Sequence, residues 1–232
     1  MPKVRHWFVI PLALFTGAVA MGLVAVHTSA TRGTELGWNA DLRRLRAGWL
    51  NRVMLDVANL ASPIAGLVVL ASVAAFFLWR RNPVQAVATC LVIAVGWTSS
   101  EIAKVIVGRN RPPAVDSLAP ETGSNSFPSG HVAFAVSLAI AVCLLAAGTR
   151  WFRLAVVLGT LWMALIAFSR LYIGAHYPLD VLGSLLVSSA AIVFLTGLWH
   201  GWIAGNLYRV PLLARFGPVP GPVLDPVPET AP

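Results

Sequence analysis

Three short clusters hold most of the residues in this sequence that can do chemistry. Each combines basic side chains or a histidine with glycine, proline or serine, at the edge of a long apolar stretch. The clusters are residues 104–112, 128–131 and 169–180. Ionisable side chains at the ends of apolar segments are costly in a membrane domain, which makes them candidates for function.

The basic side chains of the first and third clusters predict an anion site. Lys104, Arg111 and Arg170 should converge on one surface, because counting the apolar segments puts all three clusters on the same side of a membrane. Only Asp180 is available locally to compensate these cations, so the surface suits an anion with more than one charge. Guanidinium forks match the oxygens of phosphate, which is therefore the predicted ligand.

The second cluster adds a helix start to that anion site. The backbone N–H groups of Ser129 and Gly130 can point at an anion where a helix begins, and Gly130 allows the backbone to approach closely. The residues predicted to bind the phosphate are Lys104, Arg111, Ser129, Gly130 and Arg170.

Two histidines and one carboxylate complete a reaction. His176 and Asp180 stand four residues apart, so on a helical turn the carboxylate can hold one imidazole nitrogen and leave the other free to attack phosphorus. His131 can then protonate the departing oxygen as a general acid. The same three residues are an alternative metal site, but three nearby cations would repel the ion. We predict that His176, His131 and Asp180 are catalytic, without a metal or cofactor.

Apolar segments make up most of the remaining chain. Of the 232 residues, 57% are hydrophobic and 11% are charged, against about 25% charged in soluble domains. A transmembrane helix needs about 20 apolar residues, and six segments approach that length. They are residues 7–26, 57–79, 83–100 (continuing to 107), 132–148, 154–169 and 181–199. The first segment can also be interpreted as a signal peptide, although its apolar run is long for one.

The net charge of +8 and its distribution bear on the binding partners of the protein and on its orientation in the membrane. In a chain this apolar, we predict that the positive charge meets lipid head groups and a phosphorylated substrate, and no nucleic acid. Basic residues are nearly balanced between the two sides, but the short loops at Arg80 and Arg150 each carry two arginines. Because short loops are the diagnostic ones, we predict cytoplasmic N- and C-termini and an active site on the outer face of the cell membrane.

Two further segments complete the predicted organisation. In residues 36–60, apolar side chains recur at spacings of three and four, which puts them on one side of a helix and the basic side chains on the other. This pattern predicts one amphipathic helix that lies in the membrane interface or packs on the other helices. Beyond Tyr208 the sequence is rich in proline, so we expect a disordered cytoplasmic tail over residues 208–232. The predicted fold is all-α: a polytopic membrane helix bundle over residues 1–207, with six transmembrane helices and one interfacial amphipathic helix.

Taken together, the three clusters resemble the signature of the type-2 phosphatidic acid phosphatase and vanadium haloperoxidase superfamily. That signature reads Lys-x6-Arg-Pro, then Pro-Ser-Gly-His, then Ser-Arg-x5-His-x3-Asp, and each element is present here with its spacing. The resemblance covers about residues 41–199 and implies the membrane phosphatase branch, with six helices and an outward-facing site. It also implies a phosphohistidine on His176, with His131 as acid and then base, and the phosphate ligands named above.

The predicted reaction is an in-line displacement at the terminal phosphate of a lipid. Polyprenyl diphosphate, phosphatidic acid and phosphatidylglycerol phosphate each present such a phosphate on an apolar tail, and we place polyprenyl diphosphate first. One rival function is an anion transporter or channel with a basic vestibule, which has no role for the two histidines. Another is a vanadate-dependent haloperoxidase, which shares the pocket but belongs to a soluble branch.

Arg109 lies two residues before Arg111 and outside the signature. Because Pro112 disfavours helix at Arg111, the relative direction of the two arginine side chains is open. We expect Arg109 to attract the anionic head group of the substrate without contacting the transferred phosphate.

Overall fold

The computed structural model describes residues 1–219, and this part of the chain is helical without a strand. Short helical turns follow the last long helix, among them Pro211–Ala214, and residues 220–232 of the expected tail lie outside the described residues. The long helices are α1 (Val9–His27), α2 (Ser29–Arg44), α3 (Gly48–Asn59), α4 (Pro63–Trp79), α5 (Pro83–Val107), α6 (Gly130–Ala146), α7 (Phe152–Tyr172) and α8 (Pro178–Leu198).

Four of these helices are long and apolar enough to cross a membrane. They are α1, α5, α7 and α8, which continues with local distortions to Arg209. The pair α3 and α4 meets the same requirement when taken together, with a bend of 48° between the two helices. Helix α6 is apolar and 17 residues long. The predicted all-α membrane architecture is confirmed, with four to five candidate spans where six were predicted.

The second predicted span begins later than expected, at Pro63 and not at residue 57. The Oγ of Ser62 accepts a hydrogen bond from the N–H of Ala65 at 3.3 Å, and Pro63 occupies the first turn, where its missing N–H costs little. This start signal separates α4 from α3, so residues 57–59 end the preceding helix.

The single amphipathic helix predicted over residues 36–60 is wrong, because the chain leaves the helical path between α2 and α3. At this break Ala47 has an extended backbone. The Nη2 of Arg46 donates to the carbonyl oxygens of Asp116 at 2.9 Å and Tyr172 at 3.0 Å, and the N–H of Ala47 donates to the Tyr172 hydroxyl at 3.3 Å. Since these partners come from distant segments, helical periodicity alone could not reveal the break.

The apolar core lies between α5, α6 and α8, with α7 packed on α6 and α1 packed along α8. Helix α5 ends at Gly108, whose left-handed φ of 60° turns the chain into the loop that leads to α6. Phe127 anchors the far end of this loop and is fully buried. A Cβ on Gly183 of α8 would come within 2.3 Å of the Phe127 ring, so the glycine is what allows this contact. The loop is thereby fixed just before α6 begins.

Candidate active site

The three clusters meet at one end of the helix bundle. Helices α5 and α7 end there, whereas α6 and α8 begin there, so the chain direction itself brings residues 104–111, 128–131 and 170–180 together. A cavity of about 350 Å³ lies among them. Its lining includes Lys104, Arg111, Gly130, His131 and His176.

His176 lies in the turn between α7 and α8, and not on a helical turn as expected. Its Nδ1 is 3.4 Å from the Oδ2 of Asp180, and its Nε2 is 3.3 Å from the Nη1 of Arg111. Because a carboxylate only accepts and a guanidinium only donates, Nδ1 carries the proton and Nε2 keeps its lone pair. Burial lowers the pKa of His176 to about 4 despite the hydrogen bond to Asp180, so the ring is neutral at pH 7.

Asp180 is fully buried, and every hydrogen-bond partner of its carboxylate is a donor. Oδ2 accepts from the Ser126 hydroxyl at 2.6 Å and the Tyr177 N–H at 2.9 Å, besides facing His176. Oδ1 accepts from the Nη1 of Arg109 at 2.6 Å. A metal ion on Asp180 would have to displace these donors, so the carboxylate fits the role of orienting His176 better than that of a metal ligand.

The expectation that Arg109 attracts a head group is wrong, because its side chain is buried. Arg109 is 3% exposed and forms ion pairs with both Asp180 and Glu35. Its guanidinium carbon lies 4.2 Å from the centre of the Tyr177 ring. Two buried carboxylates require a cation between them, and Arg109, the second residue after α5, supplies it. Its partner Glu35 has no sequence signal that links it to the clusters.

The two arginines predicted to bind phosphate are compensated by an acid that the sequence did not indicate. Glu121 Oε1 lies 2.5 Å from the Nη2 of Arg170, and its Oε2 lies 2.9 Å from the Nη2 of Arg111. Lys104 pairs with Glu101 at 2.7 Å. The expectation that only Asp180 compensates the three cations is therefore wrong. The spacing of Glu101 and Lys104 on α5 could have indicated their pair, whereas Glu121 lies in a loop without periodicity.

Arg170 retains a donor for a ligand. The side chain is 3% exposed, and its buried Nε has no hydrogen-bond partner among the described residues. A buried N–H group without an acceptor is unfavourable unless a ligand supplies one. Burial alone would raise the pKa of Glu121, but the charge and hydrogen bond of Arg170, followed by Arg111, hold that pKa below its usual value. Glu121 therefore stays an anion between the two guanidinium groups.

Ser129 begins α6 in a different way from that expected. Its Oγ accepts from the N–H of Val132 at 3.5 Å, and its own N–H donates to the carbonyl oxygen of Asp180 at 3.2 Å. The Ser129 N–H is thus not free for an anion, and the residue instead ties the start of α6 to α8. Gly130 lines the cavity, and a Cβ there would lie 3.3 Å from the Nζ of Lys104.

Known proteins resemble this chain in both sequence and fold. Residues 85–203 match the PAP2 superfamily. Undecaprenyl-diphosphatase of Sulfolobus acidocaldarius is 26% identical over 198 residues, which cover 82% of this chain and 88% of that protein. Phosphatidylglycerophosphatase B of Bacillus subtilis is 27% identical over 180 residues, which cover 75% of this chain and 86% of that protein.

A solved structure shares the helical arrangement. The transmembrane PAP2 type phosphatidylglycerolphosphate phosphatase from Bacillus subtilis superposes with a TM-score of 0.70 at 24% identity, covering 84% of this chain and 98% of that one. At this identity the likeness establishes the fold. The family match includes all three clusters, which confirms the resemblance drawn from their spacing. The chain belongs to the PAP2 superfamily.

Proposed function

We propose that this protein is an integral membrane lipid phosphatase that removes a terminal phosphate through a phosphohistidine on His176. The observation that carries the proposal is the unprotonated Nε2 of His176, 3.3 Å from Arg111, in a cavity that a second histidine also lines. The phosphatase names of the two relatives support the same class of reaction.

Binding of the phosphate exchanges one anion for another. The phosphate replaces the carboxylate of Glu121 between Arg111 and Arg170, and it gives the unpartnered Nε of Arg170 an acceptor. Lys104 approaches from α5, and Gly130 leaves room for its ammonium group. These cations neutralise the oxygens over which charge spreads in the transition state. Ser129 contributes by fixing the start of α6.

The reaction then has two displacements. The Nε2 of His176 attacks phosphorus, the bond from phosphorus to the leaving oxygen breaks, and His131 supplies that oxygen with a proton. Asp180 holds the Nδ1–H of His176 throughout. In the second step His131 takes a proton from water, the water oxygen attacks phosphorus, and the bond from nitrogen to phosphorus breaks. Inorganic phosphate leaves, and both histidines return to their initial state.

The walls of the cavity suit a substrate with an apolar tail. Ala61, Pro63 and Trp97 line the same cavity as the cations and histidines. A phosphate can therefore bind at the charged end while the chain attached to it contacts apolar side chains and the bilayer. We keep polyprenyl diphosphate as the first substrate to test, followed by phosphatidic acid and phosphatidylglycerol phosphate.

The proposed topology has six spans and an outward-facing site. Helices α4 and α6, each 17 residues long, complete the set formed by α1, α5, α7 and α8. The arginine-bearing turns at Arg80 and Arg150 lie at the opposite ends of these helices from the cavity, which supports a cytoplasmic position for them and for the termini. A cysteine introduced at Ser117 should then react with an impermeant thiol reagent in intact cells, whereas one at Asn82 should not.

Helix α3 is proposed to lie in the membrane interface. Met54 and Ala58 on one side pack against Ile173 and neighbouring residues of the turn after α7. Trp49 is 71% exposed and Val53 is 44% exposed on another side. An amphipathic segment with an exposed tryptophan suits the boundary between head groups and acyl chains.

The test is a panel of lipid phosphates incubated with the purified protein in detergent, with release of inorganic phosphate as the readout. Hydrolysis by the wild type that is lost in His176→Ala and persists in excess chelator supports the proposal. Restoration by a divalent metal after chelation would favour a metal-dependent reaction. Anion flux in vesicles without phosphate release would favour a transporter, and halide oxidation would favour a haloperoxidase.

A further inference from the structure

Helix α2 buries two side chains, and both are polar. Glu35 is 3% exposed and Asn39 is 2% exposed, whereas the other fourteen residues of this 16-residue helix are at least partly exposed. The helix lies outside residues 85–203, the region that matches the PAP2 superfamily. Burying a carboxylate and an amide without apolar neighbours on the same helix is unfavourable unless both groups find partners. The partners therefore indicate what the helix is for.

Both polar side chains bind the segment that carries the nucleophile. Glu35 Oε1 accepts from the N–H of Leu179 at 3.0 Å. Asn39 Nδ2 donates to the carbonyl oxygen of His176 at 3.3 Å. Helix α2 thus contacts the backbone on both sides of the turn between His176 and the first residues of α8.

Glu35 also holds Arg109 through both carboxylate oxygens. The Nη1 of the same guanidinium also donates to the Oδ1 of Asp180 at 2.6 Å, and the Oδ2 of Asp180 in turn faces the Nδ1 of His176. Burial by itself would lower the pKa of Arg109, but the two carboxylates raise it instead. The result is a continuous series of contacts from α2 to the proposed nucleophile: the charged groups of Glu35, Arg109 and Asp180, followed by the neutral ring of His176.

We propose that α2 positions the nucleophile, with Glu35 and Asn39 fixing the His176 turn and Glu35 orienting Arg109 against Asp180. The assignment rests on the proposed phosphohistidine reaction. Glu35, Asn39 and Arg109 are positioning residues, because the cavity is lined by other side chains and these three act through Asp180 and the backbone. Arg109 limits the negative charge that Asp180 presents to His176, and Glu35 limits the positive charge of Arg109.

This arrangement predicts a separation between kcat and KM. Glu35→Gln keeps the shape of the side chain but weakens its hold on Arg109, so the His176 ring loses its fixed direction. A displaced catalytic group reduces the rate of the chemical step, and we expect kcat to fall by about tenfold or more. KM should stay within about twofold, since the phosphate and tail contacts are unchanged.

The charges of Glu35 and Arg109 predict opposite effects on the pH profile when each is removed. Arg109→Met removes a positive charge near Asp180, which favours the protonated His176 and moves the acid limb of kcat/KM to higher pH. Glu35→Gln removes a negative charge and moves that limb to lower pH. The other groups facing His176 remain in both variants, so they cancel in the comparison with the wild type. They are Arg111, Arg170, His131 and Glu121.

Two controls separate positioning from mere folding. Arg44→Gln breaks an ion pair with Asp41 on the same helix, where the side chains are 81% and 67% exposed, and should leave kcat and the pH profile unchanged. Arg109→Lys restores the charge without the two-sided fork. It should return the acid limb to its wild-type position while kcat stays low. Because Arg109→Met removes a buried cation, Arg109→Lys and Glu35→Gln keep the test valid if that variant does not fold.

The experiment measures phosphate release from a lipid phosphate and from phosphoramidate, a small donor whose phosphoryl group can pass to His176 with loss of ammonia. Rates are taken between about pH 3 and pH 7, a range that includes the acid limb of the wild type, as variant-to-wild-type ratios after subtraction of the enzyme-free rate. Lowered kcat for Glu35→Gln with opposite pH shifts for the two variants supports the proposal on either substrate. Wild-type kcat in folded Glu35→Gln, or shifts in the same direction, would overturn it.

The two substrates also separate this proposal from the proposed function. If phosphoramidate is hydrolysed with the expected variant pattern while every lipid is left intact, the positioning role stands and the lipid assignment fails. If the lipid is hydrolysed and the variants match the wild type, the lipid assignment stands and the positioning role fails. A wild type inactive on both would contradict both proposals.

Discussion

Two arginine–glutamate clusters flank His176 and differ mainly in burial. On the cavity side, Glu121 bridges Arg111 and Arg170, and its side chain is 35% exposed. On the protein side, Glu35 holds Arg109, and both side chains are 4% exposed. Arginine–glutamate pairing thus occurs twice with different consequences. A ligand can reach and replace the carboxylate of Glu121, whereas Glu35 and Arg109 are part of the buried framework.

The difference follows from the energetics of ion pairs. Glu121 is 35% exposed at the cavity, and a phosphate dianion that replaces its carboxylate gives Arg111 and Arg170 new acceptors, so neither buried cation is left unpaired. Breaking a buried pair by removing one partner costs about 3–5 kcal/mol, so Arg109 is not free to follow a ligand. Arg109 and Arg111 are two residues apart in sequence, yet in the proposed reaction Arg109 positions the nucleophile and Arg111 binds the phosphate.

The largest expected effect concerns the residue between the clusters. His176→Ala should abolish phosphate release, because among residues 1–219 no other histidine contacts both Arg111 and Asp180. Asp180→Asn should leave a small residual rate, since it misorients the nucleophile without removing it. Retention of a tenth of wild-type activity by His176→Ala would show that the nucleophile is another residue.

The cavity-side arginines should come next. Arg111→Ala and Arg170→Ala should each reduce kcat by about 10²-fold, as loss of a preorganised donor to the transition state does. Steady-state kinetics at saturating lipid measure this directly, with Arg44→Gln as the surface control. A change confined to KM would mean that these arginines hold the ground state alone, and the distinction between the two clusters would be lost.

His176 should become protonated, and so lose its nucleophilic nitrogen, at a lower pH than an ordinary histidine does. With the pKa of His176 lowered to about 4, Nε2 stays unprotonated down to that pH and becomes protonated below it. We therefore expect kcat/KM of the wild type, corrected for ionisation of the substrate and of the proposed general acid His131, to fall by about tenfold per pH unit below pH 4. The lowered pKa also makes the stability of the fold depend on pH. The unfolded chain binds the proton at a higher pH than the folded chain does, so the free energy of unfolding decreases as the pH falls from about 6.5 toward 4. An acid limb near pH 6.5 would mean that the burial of His176 is relieved in the working enzyme.

The smallest effect should come from the exchangeable counterion. Glu121→Gln removes the charge that competes with phosphate for Arg111 and Arg170, so the inhibition constant for inorganic phosphate or vanadate should fall by about two- to fivefold. Asp41→Asn is the matched control, because that carboxylate pairs with Arg44 at the exposed surface of α2 and not with the arginines of the cavity. Weaker inhibition in Glu121→Gln would indicate that the carboxylate helps to hold the anion instead of competing with it.

The sequence alone predicted the candidate reactive groups and the direction of the helices that carry them. Apolar length and the spacing of the three clusters predicted the helical membrane fold, the family and the meeting of Lys104, Arg111, His131 and His176 at one end of the bundle. These features are local or follow from chain direction, so a single sequence suffices. The start of α4 was also available locally, in Ser62 and Pro63, although the prediction placed it earlier.

The tertiary structure alone decided which charges meet. Glu35 is 74 residues from Arg109, and Glu121 is 49 residues from Arg170. Neither glutamate belongs to a repeating pattern, and the break between α2 and α3 depends on contacts with the turn after α7. Ion pairing depends on distance and burial in space, which sequence spacing does not encode beyond a helical turn. For this reason the sequence suggested that Arg109 is a surface cation, although its side chain is buried between Glu35 and Asp180.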